Sequence, residues 1–359
     1  MKKLSSDYYE EKEKGKIRCL ICQRQCLISP GQVGFCLSKK NIDGKLHDLI
    51  YGVITHYQLD PMEKKPFYHV FPGQPVLSFG SFGCNYRCKQ CLNAWCSWGE
   101  PARAVLTALY EGRELNLLEM IEAEPKDVIA EAKRQGSGGV AFTYNEPTIW
   151  VPFVYDVARL AKKAGLFTVF VTNGSWSKTI IDKLAPVIDA ANIDIKGFSP
   201  QTYTKMGAWW GNLLENTEYA FKKGIFLELT TLLIPGINDA EVELTGMAKW
   251  IATKLDPQIP WHLSQYEPHL APDSEFQKLP MTSVASLQKA AEIGQKQGLK
   301  HIYIWAPSDG FTQGNTYCPK CKALLVKRDG WQPEIIDLDT KNAKCKKCGE
   351  KIYFMSSRT

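Results

Sequence analysis

From Val76 to about Trp305, short apolar runs rich in Val, Ile, Leu and Phe alternate with longer stretches of helical periodicity. The pattern predicts strands at 76–80, 139–143, 167–171, 191–195, 226–233, 261–266 and 301–305. Helical patterns fall near 126–134, 150–164, 177–185, 213–223, 239–253 and 284–297. Strand–helix alternation of this kind is the signature of βαβ units and a parallel sheet, so the core is α/β. Asn238-Asp239 is the expected cap of the fifth helix, ahead of an amphipathic run to Trp250 and Ile251. Residues 41–74 read as short strands and turns, and Asp60-Pro61-Met62-Glu63-Lys64-Lys65-Pro66 as a solvated loop between prolines. The chain thus divides into a cysteine-rich segment at 1–74, a core at 75–312 and a metal-binding segment at 313–359.

Polar residues collect where the predicted strands end. The second strand runs into Thr143-Tyr144-Asn145-Glu146-Pro147, the third into Thr172-Asn173-Gly174 and the fourth into Asp194-Ile195-Lys196-Gly197. The fifth ends with Thr230 and Thr231, and the sixth carries His262, Ser264 and Gln265. In a parallel barrel such ends converge on one face, where active sites are built. Any one of these motifs alone is an ordinary turn or core residue; it is their succession that points to a site.

The first strand ends in Cys84, Cys88 and Cys91, spaced C-x3-C-x2-C. Three thiolates on one loop suit a cubane iron–sulfur cluster and leave one of its irons open to an outside ligand. The competing reading is a structural zinc loop, with Cys96 as the fourth ligand. Near the start, Cys19, Cys22, Cys26 and Cys36 are spaced C-x2-C-x3-C-x9-C, with Pro30-Gly31 and Gly34 turning the chain back. They suit zinc, a second iron–sulfur cluster, or plain reduced thiols. Near the end, Cys318-Pro319-Lys320-Cys321 and Cys345-Lys346-Lys347-Cys348-Gly349 are two CxxC knuckles separated by 23 residues. They read as a zinc ribbon, with rubredoxin-like iron as the alternative.

Composition narrows the class. With 359 residues, 44% hydrophobic and 23% charged, the chain has the make-up of a globular protein with a large core. Its net charge of +6 is spread out and does not call for nucleic acid, although lysines in the terminal segment would suit RNA or an acidic partner. The charged stretch from Met1 to Arg18 has no apolar signal-peptide core, and no run of 18 apolar residues suggests a membrane span. Twelve cysteines in three clusters argue for metals over disulfides and for a reducing cytoplasm.

The segment Cys84-Asn85-Tyr86-Arg87-Cys88-Lys89-Gln90-Cys91 resembles the radical S-adenosylmethionine (SAM) superfamily. The wider pattern is similar to the radical SAM component of the AmmeMemoRadiSam system, a group related to pyruvate formate-lyase activating enzymes. The likeness rests on Arg18-Cys19…Cys22…Arg24…Cys26, Asp60-Pro61…Glu63-Lys64-Lys65-Pro66, Thr143 to Thr148 and Val171 to Gly174. It continues through Asp194 to Phe198, Thr230 to Gly236 and Pro260-Trp261-His262, and so covers nearly the whole chain. The resemblance implies an incomplete (β/α)6 barrel with one 4Fe–4S cluster and SAM, whose reductive cleavage gives a 5′-deoxyadenosyl radical that abstracts hydrogen. It also implies an electron donor such as flavodoxin or ferredoxin, and AMMECR-like and Memo-like partners. Cys84, Cys88 and Cys91 then hold the cluster. SAM's own groups assign the rest: Glu146 to the ammonium, Lys196 to the carboxylate or a hydroxyl, and Asn173 and His262 to the ribose. Asp194 orients Lys196 or accepts from the cofactor, while Tyr86, Asn145 and Thr172 complete the cofactor-binding set.

Two positions depart from the pattern. Gln90 stands where the superfamily has an aromatic residue near adenine, which leaves Trp95 or Tyr86 to substitute. Val171 stands where the activating enzymes carry an aspartate, so an acidic monovalent-cation ligand is not expected there. Cys96 reads as an inert, partly buried thiol, with a redox or ligand role as the alternative. Residues 201–215, with Met206, Gly207, Ala208, Trp209, Trp210, Gly211 and Asn212, suit either a substrate platform or a tucked loop. The expected function is a radical SAM enzyme acting on a small molecule. The alternatives are an activating enzyme for a glycyl radical enzyme and a non-catalytic multi-zinc scaffold that binds RNA.

Overall fold

Strands that are mainly apolar on both faces are covered on both, and the seven predicted runs form strands with few exposed positions. They are Pro75–Phe79 (β1), Gly139–Phe142 (β2), Phe167–Thr172 (β3), Ala190–Asp194 (β4), Phe226–Leu233 (β5), Trp261–Gln265 (β6) and Ile302–Ala306 (β7). The structure, a computed structural model, describes residues 3–4, 8–113 and 120–356. It divides into two compact units: Met1–Leu59, Val76–Asp189 and Gly207–Ile225 form the first, and Asp60–Pro75, Ala190–Met206 and Phe226–Thr359 the second. These units do not follow the three consecutive segments expected at 1–74, 75–312 and 313–359, because Asp60–Pro75 and the cysteine knuckles belong to one unit.

In the first unit β2 pairs in parallel with β1 on one side and β3 on the other. Its helices include Pro125–Arg134, whose start is fixed by Pro125 and a capping box between Glu124 and Asp127. The helix Glu100–Glu111 is absent from the sequence prediction, although Pro101 in its first turn and a left-handed Gly112 after its last were both readable signals.

In the second unit β4, β5, β6 and β7 run parallel in that order, and Phe311–Gln313 adds an antiparallel edge to β7. The sheet is therefore mixed. Asn238-Asp239 is not the cap expected: the helix Glu241–Lys254 starts from Ala240 with no side-chain cap. Asn238 is instead spent inside the turn, accepting from the Ile234 amide at 2.7 Å and donating to the Lys196 and Leu232 carbonyls at 2.8 Å each.

The Asp60–Pro66 stretch is not a solvated loop either. Asp60 is buried and pairs with Lys64 and Lys65, both at 2.7 Å. Glu63, also buried, accepts from the Gly73 amide and faces Arg328 at 3.7 Å. Burial pushes the Glu63 carboxyl up to about 7 despite that arginine. Its charges find partners only after folding, which a linear reading does not show.

Candidate active site and metal centres

The loop after β1 places Cys84 and Cys88 in the interior and leaves Cys91 half-buried. The Cys91 amide donates to the Cys88 carbonyl at 3.2 Å, and Arg87 closes the turn by donating to the Cys84 carbonyl at 2.7 Å. The Tyr86 amide donates to the Cys84 sulfur at 3.4 Å. Burial pushes the Cys84 thiol well up, and the charges of Cys88 and Glu146 add to the effect. A buried thiol of this kind becomes a thiolate only when a cation supplies the compensating charge, and three sulfur donors on one short loop are of the ligand type that iron–sulfur clusters use.

The strand ends of the first unit converge on this loop. Glu146 is buried and accepts from the Thr148 amide at 2.8 Å, the Thr172 hydroxyl at 2.7 Å and the Asn173 amide at 2.7 Å. Desolvation raises its pKa, against the pull of those hydrogen bonds. The Asn173 side chain donates to Asn85 at 2.9 Å, and Asn85 lies directly behind Cys84. Asn145, expected at the cofactor, spends its amide on backbone: it accepts from Ser81 at 3.0 Å and donates to Gly83 at 2.9 Å. It thereby ties the end of β2 to the entrance of the cysteine loop. Between them Tyr144 has a φ of 73°, a left-handed conformation that costs a bulky residue about 1–3 kcal/mol.

Tyr86 and Trp95, the two aromatics expected near adenine, are placed differently. Tyr86 is fully buried, with its hydroxyl donating to the Trp209 carbonyl at 2.6 Å. Trp95 is 42% exposed and lies against His56, which also meets Tyr144. Gln90 is buried, and its side-chain carbonyl has no hydrogen-bond partner among the described residues. Cys96 is fully buried, its sulfur near the Asn93 carbonyl at 3.4 Å and its thiol pushed up to about 12 by burial. The loop after Met206 is docked on the cysteine loop: Arg87 donates its amide to the Gly207 carbonyl at 3.0 Å. Gly207 has a φ of 72°, and a Cβ there would meet the Arg87 carbonyl at 2.3 Å, so only glycine fits. Trp209 stays 36% exposed.

Asp194, Lys196 and His262 belong to the second unit. Asp194 holds Lys196 in an ion pair at 2.8 Å. His262, expected at the ribose, directs Nε2 to Glu228 at 2.6 Å. Glu228 is fully buried and also accepts from the Tyr68 and His69 amides at 3.0 and 2.7 Å. Arg328 adds to the same interior: it donates to Gly314 and Thr316 at 2.8 Å each and to the Tyr68 carbonyl. From the sequence Arg328 reads only as one of the basic residues of the terminal segment's surface, and Glu228 was not singled out. A glutamate inside the apolar run Phe226–Leu233 was the available signal for Glu228.

Cys318, Cys321, Cys345 and Cys348 bring their sulfurs within 4.8 Å of one another, with Cys318–Cys348 and Cys321–Cys345 both at 3.6 Å. Metal–sulfur bonds of 2.3 Å in a tetrahedron place the sulfurs about 3.8 Å apart, so the geometry fits a single ion. Among the described residues no other group of three or more Cys, His, Asp or Glu draws its ligand atoms so close. No helix among the described residues is long and apolar enough to cross a membrane.

Residues 79–246 match the family model described as the Radical SAM superfamily. Over 346 residues the chain is 36% identical to "Uncharacterized protein MJ0808" of Methanocaldococcus jannaschii, covering 96% of this chain and 97% of that one. The pyruvate formate-lyase 1-activating enzyme of Escherichia coli is 26% identical over 175 residues, 47% of this chain and 64% of its own. A solved domain of a pyruvate-formate lyase-activating enzyme from Bacteroides vulgatus aligns with a TM-score of 0.41 at 20% identity, over 47% of this chain and all of that one.

Proposed function

The chain belongs to the radical SAM superfamily and is an enzyme, and from that premise we propose that it generates a 5′-deoxyadenosyl radical from SAM to take a hydrogen atom from a small molecule. A 4Fe–4S cluster on Cys84, Cys88 and Cys91 supplies, when bound, the open iron and the electron for that cleavage. The protein's own part is to hold and orient. The observation that best supports the reading is the hydrogen-bonded line from Cys84 through Asn85 and Asn173 to Glu146. It fixes a buried carboxylate relative to the cluster loop, and that carboxylate is the group we assign to the SAM ammonium. A cation there offsets the desolvation that otherwise holds Glu146 toward its protonated form.

We assign the unpaired carbonyl of Gln90 to the adenine amino group, which donates two hydrogens. The four terminal cysteines take one zinc, for which their spacing is suited. The strand–helix repeats suit the incomplete barrel, and flavodoxin or ferredoxin is the electron donor in this reading. AMMECR-like and Memo-like proteins are its partners, and the cytoplasm its location. The similarity to an activating enzyme favours a second reading, in which the hydrogen donor is a backbone glycine of another protein.

The test is anaerobic reduction with SAM, followed by quantification of 5′-deoxyadenosine. The wild type is expected to form it. Cys84→Ala, Cys88→Ala and Cys91→Ala variants are expected not to, while retaining the metal of the terminal knuckles. Cleavage by all three variants would overturn the assignment.

A further inference from the structure

The four N-terminal cysteines enclose a space that the proposed reaction does not use. Cys19 ends the strand Ile17–Cys19, Cys22 and Cys26 follow on the next turn, and Cys36 returns after the Pro30-Gly31 reversal. Their side chains line one small enclosed pocket whose other walls are mainly apolar, Ile21, Ile28 and Ile149 among them. Ser38 donates its hydroxyl to the Cys36 sulfur at 3.2 Å. Hydrogen bonds to sulfur favour thiolates and orient them as ligands. Lys39, a buried cation on the same wall, is ion-paired with Asp48 at 2.8 Å and acts electrostatically on Cys19. Four thiolates in an apolar enclosure, with a buried ammonium beside them, form a site for an anionic centre that contains its own cations.

Spacing decides which centre. A single tetrahedral ion draws its sulfurs to about 3.8 Å. The C-terminal knuckles are set that way, within 4.8 Å throughout; among the described residues no three N-terminal sulfurs come so close, and they surround the cavity instead. We infer that Cys19, Cys22, Cys26 and Cys36 hold a 4Fe–4S cluster of their own. With four protein thiolates it has no open iron for SAM, and its chemistry is one-electron transfer. Its neighbour is the other cysteine loop. Asn85 lines the same pocket as Cys22, and its side chain lies 3.9 Å from the Cys84 sulfur. Arg24 donates to the Asn85 carbonyl at 2.6 Å, and a Cβ on Gly83 would meet the Cys36 carbonyl at 2.8 Å.

The inference does not depend on SAM cleavage, and its test removes that site. A variant carrying Cys84→Ala, Cys88→Ala and Cys91→Ala is reconstituted anaerobically with iron and sulfide. We expect it to retain about four irons and four sulfides per chain, and to give on reduction a paramagnetic resonance signal unchanged by added SAM. Adding Cys22→Ser and Cys36→Ser should abolish both iron and signal. If that variant does not fold, Cys26→Ser at the half-buried ligand replaces it, with a shifted or lost signal expected. A triple variant without iron and sulfide, or one that binds a single zinc at these cysteines, overturns the inference. So does a signal that persists unchanged when the N-terminal cysteines are substituted.

Discussion

At the scale of single residues, Gln90 is the most telling departure from the superfamily pattern. A buried carbonyl without a partner costs about 1–3 kcal/mol, so the apo protein has little reason to keep one unless a ligand satisfies it. In Gln90→Leu a side chain of similar size removes the acceptor. SAM is then expected to bind about tenfold more weakly, corresponding to about 1.4 kcal/mol, with iron content unchanged. Anaerobic equilibrium binding measures this, and equal affinity in the two proteins would refute the adenine assignment. Glu228 and Arg328 are the contrasting case. Both are buried and multiply hydrogen-bonded, and they hold the second unit together around Tyr68 and His69.

At the scale of elements, the terminal knuckles and the segment behind them behave differently. Cys318, Leu325, Val326, Leu338, Cys345, Ile352 and Phe354 form a small core, and in the proposed reading a metal completes it, because so short a segment buries little by itself. The chain beyond it is pinned elsewhere: the Met355 amide donates to the His69 carbonyl at 2.7 Å, and the Phe71 amide to the Met355 carbonyl at 2.8 Å. Cys345→Ala is therefore expected to lose about one metal per chain and to open protease sites between residues 318 and 348. The stretch around Tyr353–Met355 should stay protected for longer. Metal analysis with mass mapping of the cuts decides this, and an uncut chain of unchanged metal content would count against a metal-built ribbon.

For the whole molecule the proposed reaction leaves one choice open, the source of the hydrogen it would abstract. Trp209 remains partly exposed on a loop docked to the loop of Cys84, Cys88 and Cys91, a placement suited to meeting a substrate. Aromatic anchors serve small ligands and proteins alike, so the loop does not discriminate between them. Reduced enzyme and SAM incubated with a deuterated metabolite fraction, freed of protein by ultrafiltration, should yield deuterated 5′-deoxyadenosine. An organic radical formed only on an added protein, with no label from metabolites, would establish the activating role instead.

The sequence by itself determined the order and nearly the bounds of the seven core strands, because runs apolar on both faces leave few alternatives to a covered strand. It also identified the C-terminal group of four cysteines, since ligand spacing within a short loop is a local property. Tertiary structure alone decided what depends on distance between remote residues. Only the fold turned Asp60–Pro66 from an apparent surface loop into buried ion pairs, and gave His262 to Glu228. Only the fold spent Tyr86 on a backbone carbonyl and set the N-terminal sulfurs around a cavity while gathering the C-terminal ones to the spacing of one ion. Periodicity records which way a side chain faces, whereas the identity of its partner is fixed by chain closure over tens to hundreds of residues. That information is written in no single stretch.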